Sequence, residues 1–189
     1  MGLLTTLRKQ KLKDKEMRVL MLGLDNAGKT SIVRYLLKED VLAVAPTLGF
    51  SIRTIAYKNI YTLNIWDVGG QRSLRPFWRN YYEKTDSLIW VVDASAIDRL
   101  PDCRAELDAV VSDDRLTGAG LLVLVNKIDA IEEGDRQHVL DVIELELGIA
   151  DIVNHTCKVL PCSAYTGENL DLALDWTVEE VRERLYMFD

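Results

Sequence analysis

Histidine and cysteine are scarce in this chain. His138 and His155 are its two imidazoles, and Cys103, Cys157 and Cys162 its three thiols. Three poorly spaced cysteines make neither a disulfide framework nor a zinc site, and two histidines do not furnish a metal cluster. The thiols read as reduced and structural, which points to a cytoplasmic protein. Long apolar runs are also missing, so no membrane-spanning helix is expected. The start lacks a secretory pattern, because charge begins at Arg8, and the final Tyr186-Met-Phe-Asp189 has no prenylation cysteine. The four prolines stand apart as punctuation, with no repeat or low-complexity linker between them. Basic charge is concentrated at one end. Residues 1–20 carry six basic side chains against Asp14 and Glu16, whereas the whole chain has a net charge of −7. So acidic a body excludes a general nucleic-acid binder.

What is present is 48% hydrophobic and 28% charged over 189 residues, enough for one domain with a substantial core. Residues 1–16 are expected to form an N-terminal amphipathic helix, with Leu3, Leu4, Leu7 and Leu12 on one side, ahead of a domain spanning 17–189. Such a basic, leucine-bearing end suits a protein groove or a weak contact with a membrane surface. Apolar or alternating runs at 18–22, 50–57, 61–66, 87–93, 120–125 and 156–161 read as strands. Lys58-Asn59 turns the second into the third. Helical spacing follows 28, precedes 82, and recurs near 103–111, over 136–145 and along Leu174, Val178, Val181 and Leu185. The fold class is therefore α/β: a six-stranded, mostly parallel sheet with one antiparallel edge hairpin and helices on both faces.

Gly23-Leu-Asp25-Asn26-Ala27-Gly28-Lys29-Thr30 fits the phosphate-binding loop G-x-x-x-x-G-K-[ST], between an apolar strand and an amphipathic helix. Loop amides and the helix N-terminus, through Ser31, then face phosphates, where the helix dipole favours negative charge. Lys29 can reach the β- and γ-phosphates, and the Thr30 hydroxyl can ligate Mg²⁺. Asp67-Val-Gly69-Gly70-Gln71 follows the third strand. Asp67 can hold Mg²⁺, Gly70 lets the backbone approach a γ-phosphate, and Gln71 can orient an attacking water. Asn126-Lys127-Ile128-Asp129 ends another strand. Guanine offers N1–H and a 2-amino group to a single carboxylate, Asp129; adenine has no such donor pair. Asn126 can tie this loop to the phosphate loop, and the Lys127 stem can cover the base. Within Cys162-Ser163-Ala164, a backbone N–H can meet the guanine carbonyl oxygen.

Together these residues resemble the Ras-like small GTPases, over nearly the whole chain. Gly23–Thr30, Pro46-Thr47-Leu-Gly-Phe50 and Trp66–Gln71 resemble the Arf/Arf-like branch. Met1-Gly-Leu-Leu4 is similar to its second and third Arf-like subgroups, and Pro46–Phe50, Leu88–Asp93 and Cys162–Asn169 most resemble the second. The resemblance implies a P-loop small G-protein fold that binds GTP and GDP with Mg²⁺ and cycles between partner-binding states. It also implies that Thr47 is a switch I Mg²⁺ ligand. An exchange factor and a GTPase-activating protein are the implied regulators. A tubulin-folding cofactor and carriers of lipidated cargo are further implied partners, in microtubule biogenesis, with a cytoplasmic and cytoskeleton-associated location. Phe50, Trp66 and Tyr81 resemble the aromatic triad through which Arf-like proteins meet effectors. Gly2 with Thr6 fits a myristoylation pattern, although the resembled subgroup generally leaves this glycine unmodified. In the branch, the hairpin slides when GTP replaces GDP and expels the N-terminal helix. Ile128 stands where the branch usually has glutamine, and Ala94–Arg99 departs from its commoner Ser-Ala-Asp-Arg.

Two expectations concern charge. Asp25 occupies a position held by glycine in many Ras relatives, where a carboxylate should crowd and repel the phosphates. With no arginine assignable as an internal finger, hydrolysis should be slow and strongly raised by a partner. Arg72, Arg75 and Arg79 offer either a basic docking face or a plain solvated one. Two rival functions remain at this level: an ATP-using phosphotransferase on the same loop, and a structural subunit that holds guanine nucleotide without turnover.

Overall fold

The computed structural model describes residues 15–42 and 44–186. The proposed helix at the N-terminus, with Gly2 and its leucines, lies outside them save for its last two positions. Those two positions are not helical. Lys15 sits in a turn at φ 54, and Glu16 already pairs with Thr62 in the first strand.

Six strands are observed: β1 (Glu16–Leu22), β2 (Phe50–Tyr57), β3 (Tyr61–Val68), β4 (Ser87–Asp93), β5 (Gly120–Asn126) and β6 (Cys157–Pro161). Their order is β2-β3-β1-β4-β5-β6. All neighbours are parallel except β2 and β3, whose hairpin pairs Phe50 with Val68 and Tyr57 with Tyr61. The α-helices are α1 (Lys29–Leu36), α2 (Leu100–Val111), α3 (Arg136–Leu147) and α4 (Leu170–Tyr186). This is the mostly parallel, doubly covered sheet expected from the sequence.

Alternation along each strand builds two cores. In β1, Leu20 and Leu22 face one side with Trp78, Trp90, Leu107 and Ile143, against α2 and α3. Val19 and Met21 face the other, with Ile32, Val178 and Val181 of α1 and α4. Covered on both faces, β4 and β5 are apolar throughout except for Ser87, Asp93 and Asn126 at their ends, which explains why they read as unbroken runs.

The segment before β4 departs from α-helical expectation. Arg75–Tyr81 is a 3₁₀ helix with Pro76 in its first turn, and its buried residues are Arg75 and Trp78. At three residues per turn, positions i and i+3 eclipse. Arg75 therefore turns inward with Trp78, leaving Arg72 and Arg79 outside, so the three arginines do not form one face.

Candidate functional site

The phosphate loop bridges β1 and α1 at the carboxyl end of the sheet, where ligands of open α/β sheets bind. Gly28 caps α1 at φ 93, and a Cβ there would lie 2.2 Å from Asn126 Nδ2. Only glycine fits that approach. Beyond it opens a cleft of about 440 Å³, lined by Asp25, Asn26, Lys29, Thr30, Ser31, Thr47, Gly70 and Gln71 among others. Gly23 and Ala27 take part through their carbonyls instead. Lys29 Nζ donates to Gly23 O at 2.8 Å and to Leu24 O at 2.9 Å. Ala27 O accepts from Asn126 Nδ2 at 2.8 Å. Burial pushes the Lys29 ammonium down to about 8, against the pull of Asp67.

Three oxygen-bearing side chains converge beside that ammonium. Thr30 Oγ1 donates to Asp67 Oδ2 at 2.7 Å and lies 2.8 Å from Thr47 Oγ1. Asp67 is 1% exposed, and its Oδ1 has no hydrogen-bond partner among the described residues. Burial raises its carboxyl pKa. A buried carboxylate oxygen without a donor, flanked by two hydroxyls, fits a hard cation. Mg²⁺ suits it best, because Mg²⁺ takes one or two carboxylates and completes its shell with phosphates and water. No cluster of three or more His, Cys, Asp or Glu able to cage a metal occurs among the described residues.

The neighbouring cleft, about 240 Å³, is lined by Asn126, Lys127, Asp129, Ala164 and Tyr165, and shares Gly28 and Ser31 with the phosphate side. Asn126 is 1% exposed and uses both ends of its amide. Nδ2 reaches the phosphate loop, while Oδ1 accepts from Ala164 N–H at 3.0 Å. That N–H is thus engaged within the protein, where a guanine contact requires it to be shared. Ser163 shapes the loop by accepting from Tyr165 and Thr166 N–H. Lys127 lines both clefts and is tied to Asp93 at 2.6 Å. Burial raises the Asp93 carboxyl, but the bonds from Lys127 and Ser95 outweigh it and hold its pKa low. Asp129 is exposed at the cleft rim, whereas Ile128 is 1% exposed in the core beneath.

The sequence profile of the ADP-ribosylation factor family matches residues 3–181. The chain belongs to that family. It is 51% identical to ADP-ribosylation factor-like protein 2 of Arabidopsis thaliana and 46% identical to that of Drosophila melanogaster, over the full length of both partners in each case. A solved Arl6 BBS3 small GTPase from Trypanosoma brucei, with the nucleotide analogue GppNp bound, superposes with a TM-score of 0.72 at 26% identity, covering 89% of this chain and 99% of that one. The protein is thus an Arf-like small GTPase with the P-loop small GTPase fold. Its class binds GTP and GDP, generally with Mg²⁺, and works with exchange factors and GTPase-activating proteins.

In this Arf-like chain, Asp25 lines the phosphate cleft with its carboxylate held by two arginines. Arg99 Nη2 donates to its Oδ1 at 2.7 Å while Nη1 holds its carbonyl at 2.8 Å, and Arg75 Nη2 stands 3.5 Å away. Burial raises the Asp25 carboxyl, but the Arg99 bond and charge outweigh it and keep its pKa below the usual value. Sequence reasoning missed this partner because it lies 74 residues away, in the Ala94–Arg99 segment that departs from the branch pattern. It missed Arg75 as well. That guanidinium donates to Gly70 O, to both oxygens of Asp102 and to Glu106.

The three aromatic rings do meet. Phe50 stacks on Trp66 at 5.6 Å, and Tyr81 tilts against both at 5.1 and 6.0 Å. The Arg18 guanidinium lies 3.8 Å over the Trp66 ring and donates to Tyr81 O. Phe50 is exposed, so the cluster opens to solvent on that side.

Proposed function

We propose that this protein is a GTP-operated switch that hydrolyses GTP to GDP and phosphate and selects partners through the segments around Thr47 and Gln71. The observation that carries the reading is the convergence of Thr30, Thr47 and the unpartnered Asp67 oxygen beside buried Lys29. Thr47 comes from a loop 17 residues from Thr30, so its place beside Thr30 makes that loop a sensor of what occupies the cleft. Lys29 neutralises β- and γ-phosphate charge, Gly70 N–H faces the γ-phosphate, and Gln71 orients the water. Bound Mg²⁺, held by Thr30, Thr47 and Asp67, supplies charge neutralisation across the phosphates. Asp129 selects guanine above Asn126.

Intrinsic hydrolysis is slow in this reading, for a reason different from repulsion by Asp25. The two arginines nearest the loop are committed to Asp25, Asp102, Glu106 and Gly70. An activating protein that supplies a finger contributes on the order of 10³–10⁵ in rate. Phe50, Trp66 and Tyr81 form the effector contact. By resemblance to the second Arf-like subgroup, its partners are a tubulin-folding cofactor and carriers of lipidated cargo, in a cytoplasmic and cytoskeleton-associated setting. The leucine-bearing segment ahead of β1, outside the described residues, is coupled to the β2–β3 register; a two-residue slide preserves the faces of that hairpin.

The test is displacement of a fluorescent GDP analogue by GDP, GTP and ATP, with and without Mg²⁺, followed by single-turnover phosphate release. GDP and GTP should compete and ATP should not. Equal competition by ATP would sink the reading.

A further inference from the structure

Three consecutive peptide units at the end of β3 are each gripped from a different part of the molecule. Gly69 N–H donates to Gly49 O at 2.8 Å, across to the Thr47 loop. Gly69 O accepts from Trp78 Nε1 at 2.9 Å. Gly70 O accepts from Arg75 Nε at 3.1 Å. Between the last two lies Gly70 N–H, which has no partner among the described residues.

A trans peptide is planar, with its C=O and N–H pointing to opposite sides. No cis peptide occurs here. Fixing Gly69 O on the indole therefore fixes the direction of Gly70 N–H, away from the Trp78 core. Gly70 itself lines the phosphate cleft and lies flush on the phosphate loop: a Cβ there would stand 2.4 Å from Gly23 O and 2.5 Å from Asp25 N. Fixing Gly70 O likewise fixes the next plane, from which Gln71 departs.

Both grips are themselves rigid. Trp78 is 1% exposed and packs edge-on against Trp90 at 5.8 Å. The Arg75 guanidinium is locked by Asp102 and Glu106, one turn apart on α2. Three-residue periodicity places Arg75 and Trp78 on one side of their 3₁₀ helix, so one short element holds two successive carbonyls.

We infer that Trp78 and Arg75 are positioning residues for GTP hydrolysis: Trp78 aims Gly70 N–H at the γ-phosphate, and Arg75 sets the backbone from which Gln71 addresses the water. This rests on the GTP-hydrolysing reading above. A donor already aimed where charge develops needs no reorganisation during the reaction. The roles are separable. Trp78 governs a contact made to GTP and not to GDP, whereas Arg75 governs the chemical step.

Trp78→Phe keeps an aromatic ring in the core and removes the indole N–H. It should lower the GppNp:GDP affinity ratio about tenfold, the size of one hydrogen bond, and slow single-turnover hydrolysis at least as much. In ¹⁵N-glycine-labelled protein, the Gly70 amide should move on exchanging GDP for GppNp in the wild type and lose that response in the variant. Arg75→Lys keeps a cation for Asp102 and Glu106 but loses the Nε donor. It should slow hydrolysis about tenfold with the GppNp:GDP ratio unchanged. Trp176→Phe, in the other core, should alter neither. A merely structural role would weaken both nucleotides together. Wild-type protein that hydrolyses GTP, with an unchanged ratio in Trp78→Phe and an unchanged rate in Arg75→Lys, overturns the inference alone. Should Trp78→Phe not fold, the Arg75→Lys rate and its wild-type Gly70 amide response decide. Wild-type protein that binds no guanine nucleotide overturns the functional reading and the inference with it.

Discussion

The phosphate half and the base half of the cleft are built on opposite principles. On the phosphate side three charged groups are buried: Lys29 and Asp67 are nearly inaccessible, and Arg75 is sunk among acidic partners. On the base side the discriminating charge, Asp129, sits exposed on a rim, while what is buried beneath it is neutral: Asn126, Ile128, Ser163 and Ala164. The first half holds charge that a bound polyphosphate and cation would balance, so its loops respond to what fills them. The second is assembled in advance, chiefly by the uncharged hydrogen bonds of Asn126 and Ser163, and offers one carboxylate to a base. Sensing and recognition are thus divided between a charged half and a largely neutral one, joined through the Asn126 amide.

Breaking that joint should have the largest effect. Asn126→Ala strands the Ala27 carbonyl and the Ala164 N–H, each worth about 1–3 kcal/mol when buried without a partner. Urea unfolding and GDP titration should both weaken; a loss confined to one of them would mean that the halves are joined elsewhere. Gln71→Leu acts within the phosphate half alone. It should cut partner-stimulated hydrolysis on the order of 10²-fold, with GDP affinity held within about twofold. Phosphate release beside GDP titration separates the two.

Asp129→Asn probes the base half. It should weaken GDP by roughly 1.5–3 kcal/mol, shift preference toward xanthine nucleotides and leave the unfolding midpoint unchanged. An altered midpoint would show that the rim carboxylate is structural after all. The smallest effect should come from Arg99→Ala, since its pair with Asp25 is partly exposed and worth about 0.5–1 kcal/mol. Freed, the Asp25 carboxylate repels phosphate, so GTP should weaken a few-fold more than GDP. Asp25→Asn in the same background should restore the ratio, as measured by competition.

The two halves also differed in how far they could be read from sequence. Asn126 and Asp129, like Gly28 and Lys29, fall in short motifs whose spacing carries their geometry. The sheet was legible because burial on both faces confines the polar positions of β4 and β5 to their ends, at Ser87, Asp93 and Asn126. Arg75 was misassigned because a 3₁₀ turn and an α-turn put different residues on one side, and no local pattern separates them. The Asp25–Arg99 pair was invisible for another reason: its two ends meet only after β4 returns alongside β1. The engaged Ala164 N–H escaped notice because hydrogen-bond saturation belongs to the folded network. The strand start at Glu16, in place of a helix running through it, reflects the usual uncertainty of element ends where charged residues fit either state.

The lone oxygen of Asp67 bears on the lifetime of the molecule. Without nucleotide and cation, one oxygen of a buried carboxylate goes unpartnered, so the nucleotide-free chain is the less stable form. Occupancy then adds to folding by mass action, about 2.7 kcal/mol when free nucleotide exceeds its Kd a hundredfold. Any partner that ejects nucleotide holds the protein at its weakest moment and has to act as a chaperone for the interval. Abundance follows the same rule. In a cell that degrades transiently opened chains, the guanine nucleotide pool sets how many copies persist, quite apart from how many are switched on.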